Sequence, residues 1–246
     1  MSPETMNSAS HVRGLLKAGA AFCIIVLTGI FIDVFAGIYT GGNLTELPQT
    51  AVARFSQFRE NRLLGLYNLD LFNAINQFLL IPVYLSLVIA HRKLSHYQAF
   101  TAFTIFFAGS LILISNNTAL PMMDLSNKYF ATSDEDMKTL YAAAGEALLV
   151  RGAHGSSSML LGFMIPNAGG LIMSIVMLKG KIFTPACAWF GITGSILMII
   201  YILCVTFVPA AKQFATLLAM PGGILLIIWM VLFTKGLIIL SKHSHS

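Results

Sequence analysis

Residues 184–208 read TPACAWFGITGSILMIIYILCVTFV, a run without a single Asp, Glu, Lys or Arg. A helix needs about 20 apolar residues to cross the roughly 30 Å hydrocarbon core of a bilayer, and this run supplies them. Five more stretches share its character, at about 15–39, 66–90, 97–115, 157–178 and 215–240. Only 10% of the chain is charged, against roughly 25% in soluble domains. In lipid every backbone N–H and C=O must be satisfied within the protein, and long uninterrupted apolar runs do so as helices. The fold class expected is therefore all-α: a polytopic bundle of six transmembrane helices.

Six spans and their connections consume the 246 residues, so residues 1–246 read as a single membrane domain. The first apolar run continues to about Tyr39 with no small-residue cleavage site after it. It is longer than the core of a secretory signal and reads as a retained span. The formal charge of +5 does not point to nucleic acid, because the basic residues stand at helix ends, where membrane topology accounts for them.

Two connections are short, 91–96 and 179–183, and predict antiparallel neighbours. Two are long, 40–65 and 116–156. In the first, a Gly41-Gly42-Asn43 turn precedes Val52, Phe55 and Phe58, which recur at helical spacing beside Arg54, Arg59 and Arg62. That pattern predicts a short amphipathic surface helix. In the second, Ser133 reads as an N-cap followed by acids. Met137, Leu140, Tyr141, Ala144 and Leu148 then form a stripe, predicting a helix over about 134–150 interrupted by Glu146.

Arg13, Lys17, Arg92, Lys93, Lys179, Lys181, Lys235 and Lys242 flank the side with both termini and the short loops, while nearly all the acids lie in the long ones. The excess of Lys and Arg predicts N-terminus and C-terminus in the cytoplasm.

Ionisable groups inside spans are expensive and mark cavities, partners or functional sites. Asp33 lies near the outer end of the first span. The second opens with Asp70, Asn73 and Gln77 on one helical face, with Asn76 beside them. Asn117 ends the third span, and Asn167 follows Pro166 in the fourth, ahead of Gly169-Gly170; Pro221-Gly222-Gly223 interrupts the sixth. Together Asp33, Asp70, Asn73, Gln77, Asn117 and Asn167 are the candidate ligand-binding residues. The pocket expected opens outward between spans 1, 2, 4 and 6, with Arg54, Arg59, Arg62, Glu146 and His154 at its rim. The competing reading makes the same residues interhelical glue, each hydrogen bond worth about 0.6–2 kcal/mol.

No catalytic, cofactor or metal signature stands out. Cys23, Cys187 and Cys204 fall in apolar spans without metal-ligand spacing and read as buried structural residues. His11, His91, His96, His243 and His245 lie outside the middle of any span, and His154 has no Cys or carboxylate at strong ligand spacing. Gly155-Ser156-Ser157-Ser158 is not a nucleophile elbow and reads as a helix cap. Asn43-Leu44-Thr45 and Asn116-Asn117-Thr118 match the glycosylation sequon, a short pattern.

The run Ser115-Asn116-Asn117-Thr118-Ala119-Leu120-Pro121-Met122-Met123-Asp124-Leu125-Ser126 resembles a signature of the bacterial DUF4386 membrane proteins. The helix over 134–150, Gly162-Phe163, and Ile172-Met173-Ser174-Ile175-Val176-Met177-Leu178 before a lysine-containing turn fit as well. The resemblance implies a prokaryotic protein of the cytoplasmic (inner) membrane and a role for the segment after the third span, but brings no activity or site residues.

The expected function is that of a non-enzymatic membrane protein, either an accessory subunit or a binder of a lipid or small apolar molecule. Asp33 and Asp70 would orient a polar head group. The alternative is a small secondary transporter or proton-coupled permease in which Asp33 or Asp70 titrates. Membrane lipids surround it in either case, and a homo-oligomer or larger membrane complex is open; nucleic acid is not expected.

Overall fold

A computed structural model describes residues 3–39, 48–153, 155–208, 210 and 212–243. The Gly41-Gly42-Asn43 turn, the first sequon, His154 and His245 lie outside the described residues. Among the described residues ten helices account for the architecture, and six are long and apolar enough to cross a membrane. These are α1 (Pro3–Tyr39), α4 (Leu71–Ala90), α5 (His96–Asn116), α8 (Ser157–Gly180), α9 (Pro185–Phe207) and α10 (Lys212–His243). The protein is a multi-pass membrane protein.

The six form a closed ring in chain order: each packs on the next, and α10 packs back on α1. Among lipid tails there is little hydrophobic gain in bringing helices together, so close approach of small residues carries the association. The α5–α8 seam illustrates it. A Cβ on Gly169 would lie 2.7 Å from the Phe106 nitrogen, one on Gly162 3.1 Å from the Leu113 Cα, and one on Gly109 would run into the Pro166 ring. Gly162, Pro166 and Gly169 stand at helical spacing on one face, which is why the Gly162-Phe163 pair has to begin with glycine.

The middle of the ring is filled. Tyr84 stacks on Phe106 with centroids 3.6 Å apart, and Trp229 meets Tyr84 edge-on at 6.2 Å and Phe233 at 4.9 Å. The Trp229 indole N–H donates to Met177 Sδ at 3.4 Å, satisfying a polar atom that burial would otherwise penalise. Leu87, Met173 and Met177 complete the plug, all fully buried. It extends to the short-loop end, where Phe183 and the fully buried His91 ring meet at 5.6 Å.

The long connections fold into a helical cap at the opposite end: α2 (Ala51–Glu60), α3 (Arg62–Tyr67), α6 (Ala119–Ala131) and α7 (Glu135–Gly152). The expected amphipathic helix is present as α2, capped by the Thr50 hydroxyl, which accepts from the Ala53 N–H. Its Phe55 and Phe58 are buried on Met122 of α6, while Val52 stays exposed. Its apolar face thus meets other helices of the cap.

The second helix begins with Asp134 as its cap, accepting from the Asp136 and Met137 N–H groups, and Ser133 takes no part. The predicted stripe is shifted, since Leu140 is 61% exposed and the buried contact of α7 is Gly145. A Cβ there would lie 2.6 Å from that of Ala51. Glu146, which breaks the stripe in sequence, accepts the Ala51 N–H at 2.7 Å and so caps α2, placing a carboxylate at the positive end of its dipole. Pro121 sits in the first turn of α6, where a missing N–H leaves no bond unmade.

Candidate functional site

Because the plug fills the ring from its middle to the short-loop end, open space is left at the end of the bundle that carries the cap. A cavity of about 270 Å³ lies there. The turn before α4 and its first residues contribute Asp70 and Asn73. Gly155, Met159, Leu160 and Phe163 come from the start of α8 and the residues before it. The last turns of α9 add Met198, Tyr201, Ile202, Val205 and Thr206, and α10 adds Ala219. The walls are therefore mostly apolar, with polar groups gathered near the helix ends. Tyr84 lies fourteen residues along the helix from Asp70, about 20 Å deeper at 1.5 Å per residue. The cavity is confined to one end of the bundle.

Asp70 has φ +58°, a left-handed conformation that Asp tolerates better than most residues with a side chain. Its N–H donates to the Tyr67 carbonyl at 3.0 Å and its own carbonyl accepts from Ala74 at 3.1 Å, so it closes one turn and opens α4. The residue is exposed. Its charge reaches Tyr201 across the cavity, Tyr67 in α3 and Arg54 in α2. Arg54 is 6% exposed; its Nη1 donates to Gln57 Oε1 at 3.3 Å. Burial lowers the Arg54 pKa and the Asp70 carboxylate pushes it back up. Tyr67 is pushed up to about 12, first by burial and then by the charges of Asp33 and Asp70.

Asp70 and Asn73 are brought together at the cavity; the other candidates stand elsewhere. Asp33 is exposed in a stretch of α1, 31–35, that is exposed throughout, and its backbone carbonyl accepts the Tyr67 hydroxyl at 3.1 Å. Gln77 donates to Ser110 Oγ at 2.8 Å, linking α4 to α5. Asn117 donates to the Leu69 carbonyl at 3.0 Å and accepts the Ala119 N–H at 3.1 Å. Asn167 donates to the Phe163 carbonyl of its own helix at 2.9 Å. Gln77 and Asn117 thus tie separate elements together, and Asn167 bonds within α8.

Span 5, as α9, replaces span 1 in the wall. The expected quartet of spans 1, 2, 4 and 6 is corrected to 2, 4, 5 and 6. Residues 31–35 of α1 are exposed, whereas the end of α9 approaches the residues before α8 at Gly155. That glycine has φ +97°, and a Cβ on it would lie 3.2 Å from the Val205 carbonyl oxygen. Tyr201, Met198 and Phe163 were not recognisable in sequence, since an apolar or aromatic position facing a cavity reads like one facing lipid. Among the described residues no three His, Cys, Asp or Glu side chains are grouped to hold a metal ion.

The sequence model of DUF4386, a domain of unknown function, matches residues 17–236. The match covers most of the chain, and the protein belongs to this family. No curated protein and no solved structure matches.

Proposed function

We propose that this DUF4386 protein binds a small, largely apolar molecule in the cavity among α4, α8, α9 and α10, and that it is not an enzyme. One observation carries the reading: beside an aromatic plug lies a cavity with mostly apolar walls and a few polar groups at the helix ends, the usual form of a small-molecule site. At about 270 Å³ it suits a compact ligand or one end of a lipid. The excess of Lys and Arg on the side of the short loops supports an orientation with the cap and cavity facing outward.

Native mass spectrometry of the protein in nanodiscs made from its own membrane tests this. The wild type should retain a small molecule that Ala219→Phe, which fills the cavity, releases. A wild type carrying nothing that the filled variant lacks would end the proposal. A stoichiometric protein partner instead would favour the accessory-subunit reading.

A second reading is a small proton-coupled permease. Pro82, Pro166 and Pro221 lie inside α4, α8 and α10, three of the four helices that wall the cavity. Proline frees a carbonyl and allows a helix to bend, a feature of helices that move in transport. This reading requires the Tyr84–Phe106–Trp229 plug to part. It expects ion-coupled uptake that Asp70→Asn abolishes; uptake unaffected by that substitution would remove it.

A further inference from the structure

The cavity's lining also indicates the sign of charge on its ligand, an inference that rests on the binding reading above. Asp70 is the acidic side chain of the wall, and no Lys, Arg or His is among the described lining residues. An ionised carboxylate only accepts hydrogen bonds and offers about four lone-pair sites. A donor on the ligand therefore adds to whatever bonds Asp70 already makes.

A second source of negative potential meets it there. Val205 and Thr206 line the cavity in the last turn of α9, where carbonyl oxygens lack partners within the helix and the dipole is negative. Two positive helix ends also approach, those of α8 and α4: at the first the Ser156 hydroxyl accepts the Met159 N–H at 3.2 Å, and at the second the Asp70 carboxylate itself stands as the answering charge. Phe163 and Tyr201 add aromatic rings, whose faces attract cations.

We propose that the ligand is a small amphiphilic amine, its ammonium group held between the Asp70 carboxylate and the carbonyl end of α9, and its apolar body lying against Met159, Leu160 and Ile202. At about 30 Å³ for each water-sized group, the cavity accommodates on the order of ten non-hydrogen atoms. Asp70 is exposed and shares its field with Arg54. The charge preference is therefore several-fold, as for a solvent-exposed ion pair, and not many orders of magnitude.

The test uses the full chain in nanodiscs of zwitterionic lipid at neutral pH with three probes of matched length: octylamine, octanol and octanoate. Binding is read as the concentration dependence of thermal stabilisation, and Ala219→Phe in the same lipid corrects for partition into the bilayer. Octylamine should bind about 3- to 10-fold more tightly than octanol, and octanoate most weakly. Asp70→Asn, which keeps a residue suited to the left-handed backbone, should reduce octylamine to the level of octanol and leave octanol unchanged. Three probes of equal, cavity-dependent affinity would overturn the amine assignment and leave the binding site intact. Stabilisation identical in wild type and Ala219→Phe would overturn both.

Discussion

The side-chain amide of Asn117 donates to the Leu69 carbonyl oxygen across 48 residues of sequence, fastening the end of α5 to the turn that presents Asp70. The other end of the same amide accepts the Ala119 N–H and starts α6. One asparagine thus joins the ring, the cap and the mouth of the cavity.

Asn117→Ala removes both bonds and strands a carbonyl, for a loss of about 1–3 kcal/mol. Asn117→Asp keeps the acceptor for Ala119 and replaces the donor to Leu69 with a carboxylate oxygen that the carbonyl repels. Thermal unfolding in nanodiscs should rank wild type above both variants. Ligand affinity should fall in both, since each loosens the Asp70 turn. An Asp variant as stable as wild type would show that the Leu69 bond contributes nothing.

Gly155 combines a φ of +97° with close approach to the Val205 carbonyl. Gly155→Ala should cost about 1–3 kcal/mol through backbone strain and push α9 away from the start of α8. Stability and ligand binding should fall together, a coupling that calorimetry and a binding isotherm on one preparation would check.

Two glycines of the bundle should respond in opposite ways. Gly169→Leu forces a side chain into the backbone of Phe106 and should destabilise by about 1–3 kcal/mol or more. Gly223→Ala in α10 adds a methyl that meets nothing within 4 Å, and should stabilise by about 0.4–1 kcal/mol by restricting the unfolded chain. Equal effects in thermal unfolding would refute the packing described for α5 and α8.

His91 is fully buried beside Phe183, its Nδ1 bonded to the Leu87 carbonyl at 2.9 Å. Burial lowers its pKa, and the bond to Leu87 offsets this in part. Below the ordinary imidazole value of about 6.5 the unfolded chain takes up a proton that the folded chain resists. Stability should therefore be unaffected by this group above about pH 7, and should decline as pH falls from there to the folded value. His91→Gln should flatten the decline in a series of melting curves between pH 5 and 8; an unchanged slope would place the acid sensitivity elsewhere.

Glu146→Ala removes the carboxylate that caps α2 at Ala51. A cap of this kind is worth about 0.5–2 kcal/mol. The effect should be local, appearing as faster hydrogen exchange in α2 and α7 while the plug around Tyr84 stays protected.

Much of the fold could be read directly from hydropathy. The six spans emerge where expected, because lipid leaves the backbone of a long apolar run one open-ended way to satisfy itself, the helix. The cap was half legible: α2 and α7 carry helical patterns, whereas α6 was hidden by Pro121, which reads as a stop until its place in the first turn is known. Of the candidate residues, Asp70 and Asn73 face the cavity, and Gln77 and Asn117 hold elements together. Their residue types are alike, and nothing in one dimension separates an amide that meets a ligand from one that meets Ser110 or Leu69.

What the chain determined by itself was the number of crossings, the antiparallel pairing across the short loops and the polar inventory of each helix, all of which follow from local composition and the thickness of a bilayer. Only the tertiary structure decided that α10 closes the ring on α1 and that Tyr84, Phe106 and Trp229 fill its centre. It also decided that the open space lies against α9 and not α1. Those outcomes depend on which small residues let two backbones approach and which large ones meet between them, and such fits between surfaces distant in sequence leave no periodic mark on the chain.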